Sequence, residues 1–312
     1  MAVVVPRDTG AQEVHKYMMS FSRCRLTVLF AMALAACQPE SPPHFYGTLY
    51  FEAGPYLGEF SLATGNAVPV TNLGDQRIRR VSTFEHGQLL LTIVNYVDER
   101  ARYRIARFEL DSLHETPLLE GQAGQYLETP ATVVYYRGYE LISARRDALR
   151  DPGHVVHRFA YREPPHLVPV GAFGVLLGAD RDLIRRFDPA TGETQVLEAL
   201  SSACELRDAV WLADREQLAC REPGVEDSEP AIVLAGLDGR VTGELALPAG
   251  RRFRPVVYLA DQDVLVLNET RRRLLSRHDE YPVWAYGLDS GRLQRLAGNQ
   301  HLGESAVYRR GR

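Results

Sequence analysis

A strand–turn–strand unit recurs along this chain and restricts what it can fold into. One copy occupies residues 81–91 (VSTFEHGQLLL). Others stand at 133–142 (VVYYRGYELI), 210–219 (VWLADREQLA) and 257–266 (VYLADQDVLV), with a shorter relative at 175–184 (VLLGADRDLI). A second unit follows, a strand that ends in an acidic or glycine turn: 59–65 (EFSLATG), 186–192 (RFDPATG) and 286–291 (YGLDSG), with weaker copies around Phe108, Phe159 and Leu237. Runs of β-branched and aromatic residues bounded by Gly, Asp and Pro are strand signals, and helical periodicity is scarce, so the body reads as all-β. Two strands plus two strands make a four-stranded sheet. The second unit recurs every 48 to 51 residues, except that Phe159 and Phe187 are 28 apart. Four strands per unit at a period of about 40–50 is the pattern of a β-propeller; a β-sandwich needs no such repeat.

The two ends support the same reading. The segment 306–311 resembles the first strand and turn of the unit, and 48–51 resembles its second strand. Joined, they complete one blade, so N- and C-terminal strands close the ring and remove its open edge. The expectation is six blades over residues 46–312, one shared by the termini and the others beginning near 80, 131, 173, 207 and 254. Five or seven are the alternatives. The blade near 173 is expected to lack a strand.

The N-terminal segment fixes a second expectation. Arg23 and Arg25 precede an apolar run, 26–36, that ends Leu34-Ala35-Ala36-Cys37. A basic region, a short apolar region and small residues at the cut site make a signal peptide over 1–36. The run is too short for a membrane helix, which needs roughly 20 residues. Residues 1–17, with Asp8 and Glu13, fit a signal poorly, and Met18 or Met19 gives a start of conventional length. The cysteine after the small residues resembles the lipobox of bacterial lipoproteins. That resemblance implies that Cys37 becomes the lipidated N-terminus, with 37–45 as a short tether stiffened by Pro39, Pro42 and Pro43. In the Gram-negative members, Asp after the cysteine retains the protein at the inner membrane. Gln38 therefore implies the periplasmic face of the outer membrane.

Of the four cysteines, Cys24 leaves with the signal and Cys37 carries the lipid, which leaves Cys204 and Cys220. An oxidising compartment lets an even pair close, and a structural disulfide is expected. A redox pair would more often read C-x-x-C, and a metal site needs more ligands. Of 36 basic and 40 acidic residues, four and two precede Cys37, which leaves 32 and 38 and a net charge of −6 with His neutral. A weakly acidic body argues against nucleic-acid binding.

At the level of blade pattern, residues 46–312 resemble the tethered, WD40-like propellers of the bacterial envelope, the TolB and BamB type. BamB's glutamine–tryptophan motifs do not match, since the chain has only Trp211 and Trp284. The resemblance implies the fold more than the task.

Function tends to lie on loops held by a rigid scaffold. The connection between second and third strands is expected to be long in four blades, at 95–103, 145–154, 221–230 and 269–282, and to crowd one rim. These stretches carry Arg100, Arg145, Arg146, Arg150, Arg271, Arg272, Arg273 and Arg277. Guanidinium forks suit carboxylates and phosphates, so these arginines are the expected partner contact; solvated polar loops are the plainer reading. No metalloprotease, hydrolase-elbow or phosphate-loop motif occurs. His154 and His157 are three apart, which on a strand places them on opposite faces. No catalytic residue, metal or cofactor is expected. The expected role is protein binding or scaffolding, as a monomer, with an envelope protein as partner and the membrane reached only through the lipid. The alternative is a small-ligand sensor, or a calcium-assisted hydrolase or lyase acting on a sugar or lactone in the central channel, where Asn95, Asp208, Asn268 and Glu269 could gather.

Overall fold

The computed structural model describes residues 44–312, apart from 98, 150, 152, 161–165, 179–182, 224–230, 271–279, 304 and 311–312. Cys37 and the expected signal segment lie outside the described residues.

Residues 45–312 form an all-β, six-bladed propeller, and every blade has four antiparallel strands. Blade 1 holds β1 (Thr48–Ala53), β2 (Tyr56–Ser61) and β3 (Ala67–Asn72). Blade 2 is β4 (Arg77–Thr83), β5 (Leu89–Val97), β6 (Arg100–Glu109) and β7 (His114–Glu120). Blade 3 is β8 (Gln122–Leu127), β9 (Thr132–Arg137), β10 (Glu140–Arg145) and β11 (His154–Arg158). Blade 4 is β12 (His166–Pro169), β13 (Val175–Gly178), β14 (Arg185–Phe187) and β15 (Thr194–Val196). A short helix, α1 (Glu198–Ala203), leads into blade 5, which is β16 (Glu205–Leu212), β17 (Gln217–Arg221), β18 (Ile232–Gly236) and β19 (Val241–Glu244). Blade 6 is β20 (Arg252–Leu259), β21 (Val264–Thr270), β22 (Val283–Gly287) and β23 (Leu293–Ala297). The last strand, β24 (Ala306–Arg309), is the innermost strand of blade 1. It pairs with β1 from Thr48↔Arg309 to Phe51↔Ala306, as the termini imply.

Two sequence assignments need correction. Blade 4 has all four strands; they are only short. In blade 3 the repeat was read one strand out of step. Residues 133–142 are its second and third strands, not its first and second, and Phe159 follows its fourth strand. With the third strands aligned, β2, β6, β10, β14, β18 and β22 begin at 56, 100, 140, 185, 232 and 283, and the 28-residue anomaly disappears. The first strand of blade 3, β8, hides because it has few β-branched residues and bulges at Ala123, whose φ is +56°.

The core consists of six apolar clusters, one at each interface between neighbouring blades. Central strands are buried on both faces, which explains their unbroken apolar runs. In β5, Leu89, Leu91 and Ile93 pack toward blade 1 and Leu90 toward blade 3. In β17, Leu218 and Cys220 face blade 4 and Ala219 faces blade 6.

Antiparallel order gives the propeller two distinct faces. The turn face carries the connections from first to second and from third to fourth strands. The linker face carries those from second to third strands and the links between blades. On the turn face, blades 5 and 6 share one device: a single helical turn, Ala213–Arg215 or Ala260–Gln262, followed by a left-handed residue, Glu216 (φ +50°) or Asp263 (φ +51°).

Cys204 and Cys220 form the expected disulfide, with Cα atoms 5.6 Å apart. It ties the end of α1 to β17 at the blade 4–blade 5 core. A closed loop of this size contributes ~3 kcal/mol in the chain-entropy account. Replacing both cysteines by alanine should lower the unfolding free energy by about that amount, measured by urea denaturation, with secondary structure unchanged by circular dichroism.

Candidate functional site

The six innermost strands surround a channel of about 530 Å³, lined by Arg80, Gln125, Val168, Trp211, Tyr258 and Tyr308 among others. Its polar groups bond across blades. Arg80 donates to the Leu167 carbonyl oxygen at 2.5 Å, and with its amide oxygen turned toward Arg80, Gln125 accepts from Nε and Nη2 at 2.9 and 2.8 Å. Arg254 pairs with Asp208 at 3.2 Å and donates to the Gly303 carbonyl oxygen.

At the turn-face mouth, each tyrosine hydroxyl donates to a carboxylate: Tyr258 to Asp263 at 3.0 Å and Tyr308 to Asp261 at 3.1 Å. Burial, reinforced by the neighbouring carboxylate, pushes both phenols up to about 12. Arg215 bridges blades 5 and 6 by pairing with Asp263 and with Asp289. Its own pKa is raised, first by the hydrogen bond to Asp263. Arg146 reaches from blade 3 to Glu85 of blade 2 at 2.5 Å.

The linker face is built differently. A second pocket, about 580 Å³, opens there between blades 1, 2 and 6, lined by Glu52, Arg77, Arg79, Tyr281, Asn299 and His301 among others. Two buried polar side chains hold its walls. Asn268, 1% exposed, donates to the carbonyl oxygens of Pro282 and Gln300 and accepts from Leu302 N–H. Glu52 accepts from Ser305 N–H and Oγ, both at 2.9 Å. Gly303 has φ +67°, and a side chain there would run into the Glu52 carboxylate. Beside this pocket, β5 and β6 outrun their neighbours. β4 stops opposite Val94 and β7 opposite Arg104, while β5 and β6 stay paired to Val97↔Arg100. The free hairpin presents Tyr96, Arg100 and Arg102 to solvent. Arg79 joins pocket and hairpin: it lines the first and donates to the Tyr96 hydroxyl at 3.1 Å.

This placement redistributes the arginines expected on one rim. Arg100 lies on the linker face, but 95–103 is largely paired strand and not a loop. Segment 145–154 joins third to fourth strands of blade 3, so Arg145 and Arg146 lie on the opposite, turn face. They are also paired within the protein, with Asp147 and Glu85. Arg150, Arg271, Arg272, Arg273 and Arg277 lie outside the described residues. The candidates for a calcium site do not converge. Asp208 is paired with Arg254, Asn268 is a wall strut, Glu269 accepts from the Trp284 indole at 2.9 Å, and Asn95 is on the hairpin. Among the described residues no group of three or more His, Cys, Asp or Glu side chains is placed to hold a metal ion. Sequence reasoning missed Arg77, Arg79, Tyr281, Asn299 and His301; the one available signal was the run Arg77-Ile78-Arg79-Arg80 at the start of blade 2.

No protein-family model and no curated protein sequence matches the chain. Among solved structures it is similar to TolB from Acinetobacter baumannii, with a TM-score of 0.53 and 14% identity, over 92% of this chain and 73% of that one. It is equally similar in fold to a protein of unknown function from Bacteroides caccae, with a TM-score of 0.53 and 11% identity, over 84% and 98%. At such identities the likeness is one of fold, the β-propeller.

The tyrosines at the channel mouth make a pH prediction. Unfolded, a phenol loses its proton near ~10; folded, Tyr258 and Tyr308 keep theirs to about 12. Between those values the unfolded state binds fewer protons, so stability falls as pH rises. The contribution is fully present below pH ~10. Urea midpoints should therefore decline across that interval, and the decline should be shallower in Tyr258→Phe.

Proposed function

We propose that this chain is a lipoprotein of the outer membrane's periplasmic face, monomeric, whose propeller binds an envelope protein through the linker face. The observation that carries the reading is a cluster of unpaired arginines beside an exposed tyrosine on the linker face. Arginines on both faces, Arg146 and Arg215 on one and Arg158 and Arg251 on the other, are paired with carboxylates. On the linker face Arg77, Arg100 and Arg102 are exposed and make no ion pair among the described residues. Free guanidinium groups beside an exposed tyrosine, on a hairpin that stands clear of the sheet, are the chemistry enriched at protein interfaces. The partner surface that complements them is acidic.

Two further features agree. The disulfide fits an oxidising compartment. The body's net negative charge disfavours nucleic acid.

The test is photo-crosslinking in intact cells, with a photoreactive residue at Ala101 on the hairpin. A discrete adduct with an envelope protein is expected. It should weaken at least tenfold when Arg100 and Arg102 are changed to glutamate, and be absent when the probe is moved to Asp214 on the turn face. Equal adducts from both faces, or none from Ala101 and Tyr96 alike, would rule the reading out.

A further inference from the structure

We propose that the pocket between blades 1, 2 and 6 binds a small carboxylated saccharide. The inference stands on the pocket's own chemistry and does not depend on the protein partner of the hairpin.

The cavity, about 580 Å³, falls in the ~300–1,000 Å³ range of small-molecule sites. That is far more room than a simple anion needs. Its walls are fixed in advance. Asn268 and Glu52 hold the segment 299–305, and the Asn299 carbonyl oxygen of the side chain accepts from Tyr281 N–H at 2.8 Å. A pocket held this way loses little freedom when it is filled.

The lining carries one clear positive charge without a partner. Arg77 is exposed and makes no ion pair among the described residues. The one carboxylate in the lining, Glu52, is already engaged by Ser305. A planar guanidinium of this kind matches a planar carboxylate in two-pronged geometry.

The remaining chemistry is neutral and rich in hydrogen-bonding groups. The Tyr281 hydroxyl, the Asn299 side-chain NH₂ and the Gln300 side-chain amide have no protein partner among the described residues. Together they offer both donors and acceptors, as a row of sugar hydroxyls requires. Tyr281 also brings an aromatic ring, held edge-on by His301 with ring centres 4.5 Å apart. The His301 Nδ1 accepts from Gly303 N–H at 3.2 Å, so in the neutral ring Nε2 carries the proton. A phosphate would be better met by several charges, and a purely apolar ligand would leave these polar groups unpaired at a cost. A singly charged, hydroxyl-rich ring satisfies the whole lining.

The experiment is saturation-transfer NMR and calorimetry on the full chain, with galacturonate as probe and galactose and inorganic phosphate as comparisons. Saturable binding of galacturonate, at least tenfold tighter than galactose or phosphate, is expected. Arg77→Ala should weaken it at least tenfold, and Tyr281→Ala should weaken it with the melting temperature unchanged. Phosphate bound as tightly would mean that only charge is read, and galactose bound as tightly that charge is not read; either overturns the proposal. So would the absence of any binding at millimolar galacturonate. Because Arg77 is exposed, its alanine variant keeps the fold. The hairpin adduct at Ala101 is scored separately, so either idea can fail without the other.

Discussion

The pairing of β24 with β1 is the constraint on which the rest of this structure depends. A ring of blades has no edge only if its first and last blades are joined, and here one blade is made from both ends of the chain. Backbone bonds are reinforced by side chains from three parts of the sequence. Gln262, from the turn of blade 6, donates to the Tyr46 carbonyl oxygen and to the Tyr308 hydroxyl, each at 2.9 Å. Glu52 takes both groups of Ser305, and the same Ser305 Oγ accepts from Val81 N–H of blade 2 at 2.8 Å. Closure thus fastens blade 1 to both neighbours.

Closure also creates the candidate pocket. Tyr281, Asn299 and His301 come from near the end of the sequence, Arg77 and Arg79 from near its beginning, and they line one cavity only because the ring is shut. Asn268 and Glu52 illustrate how buried polar groups specify a shape. Each is nearly inaccessible, and each has its bonds filled by the segment 300–305. A fully satisfied buried polar group rigidifies its surroundings, whereas an unfilled one is costly.

The repeat was legible because strands buried on both faces must be apolar throughout, and turns between them must reverse the chain. Blades 2, 5 and 6 and the shared blade 1 satisfied both conditions openly. Blade 3 did not. Its first strand contains Ala123, Gly124 and a bulge, while its second and third strands meet in a two-residue turn, Gly138–Tyr139, that imitates a first turn. One strand of slip reverses which face a connection lies on, and so Arg145 and Arg146 were assigned to the wrong rim. The pocket was not legible at all. Its residues carry no motif, and their proximity depends on contacts between strands more than 200 positions apart. Arg100 was legible as an exposed charge, but the hairpin that lifts it follows from β4 and β7 ending early, which side-chain pattern alone does not reveal.

The arginines then divide the work of charge. A guanidinium already bonded to a carboxylate must give up that bond before it can serve a ligand, and the exchange returns little. Arg215, held by Asp263 and Asp289, and Arg146, held by Glu85, are used up in bracing one blade against the next. Arg77, Arg100 and Arg102 make no ion pair among the described residues. Positive groups without a structural duty are cheap to keep in water but gain most when a negative group arrives to pair with them. The hairpin and the pocket each hold such groups, and Arg79, touching both through the pocket wall and Tyr96, makes them one continuous surface.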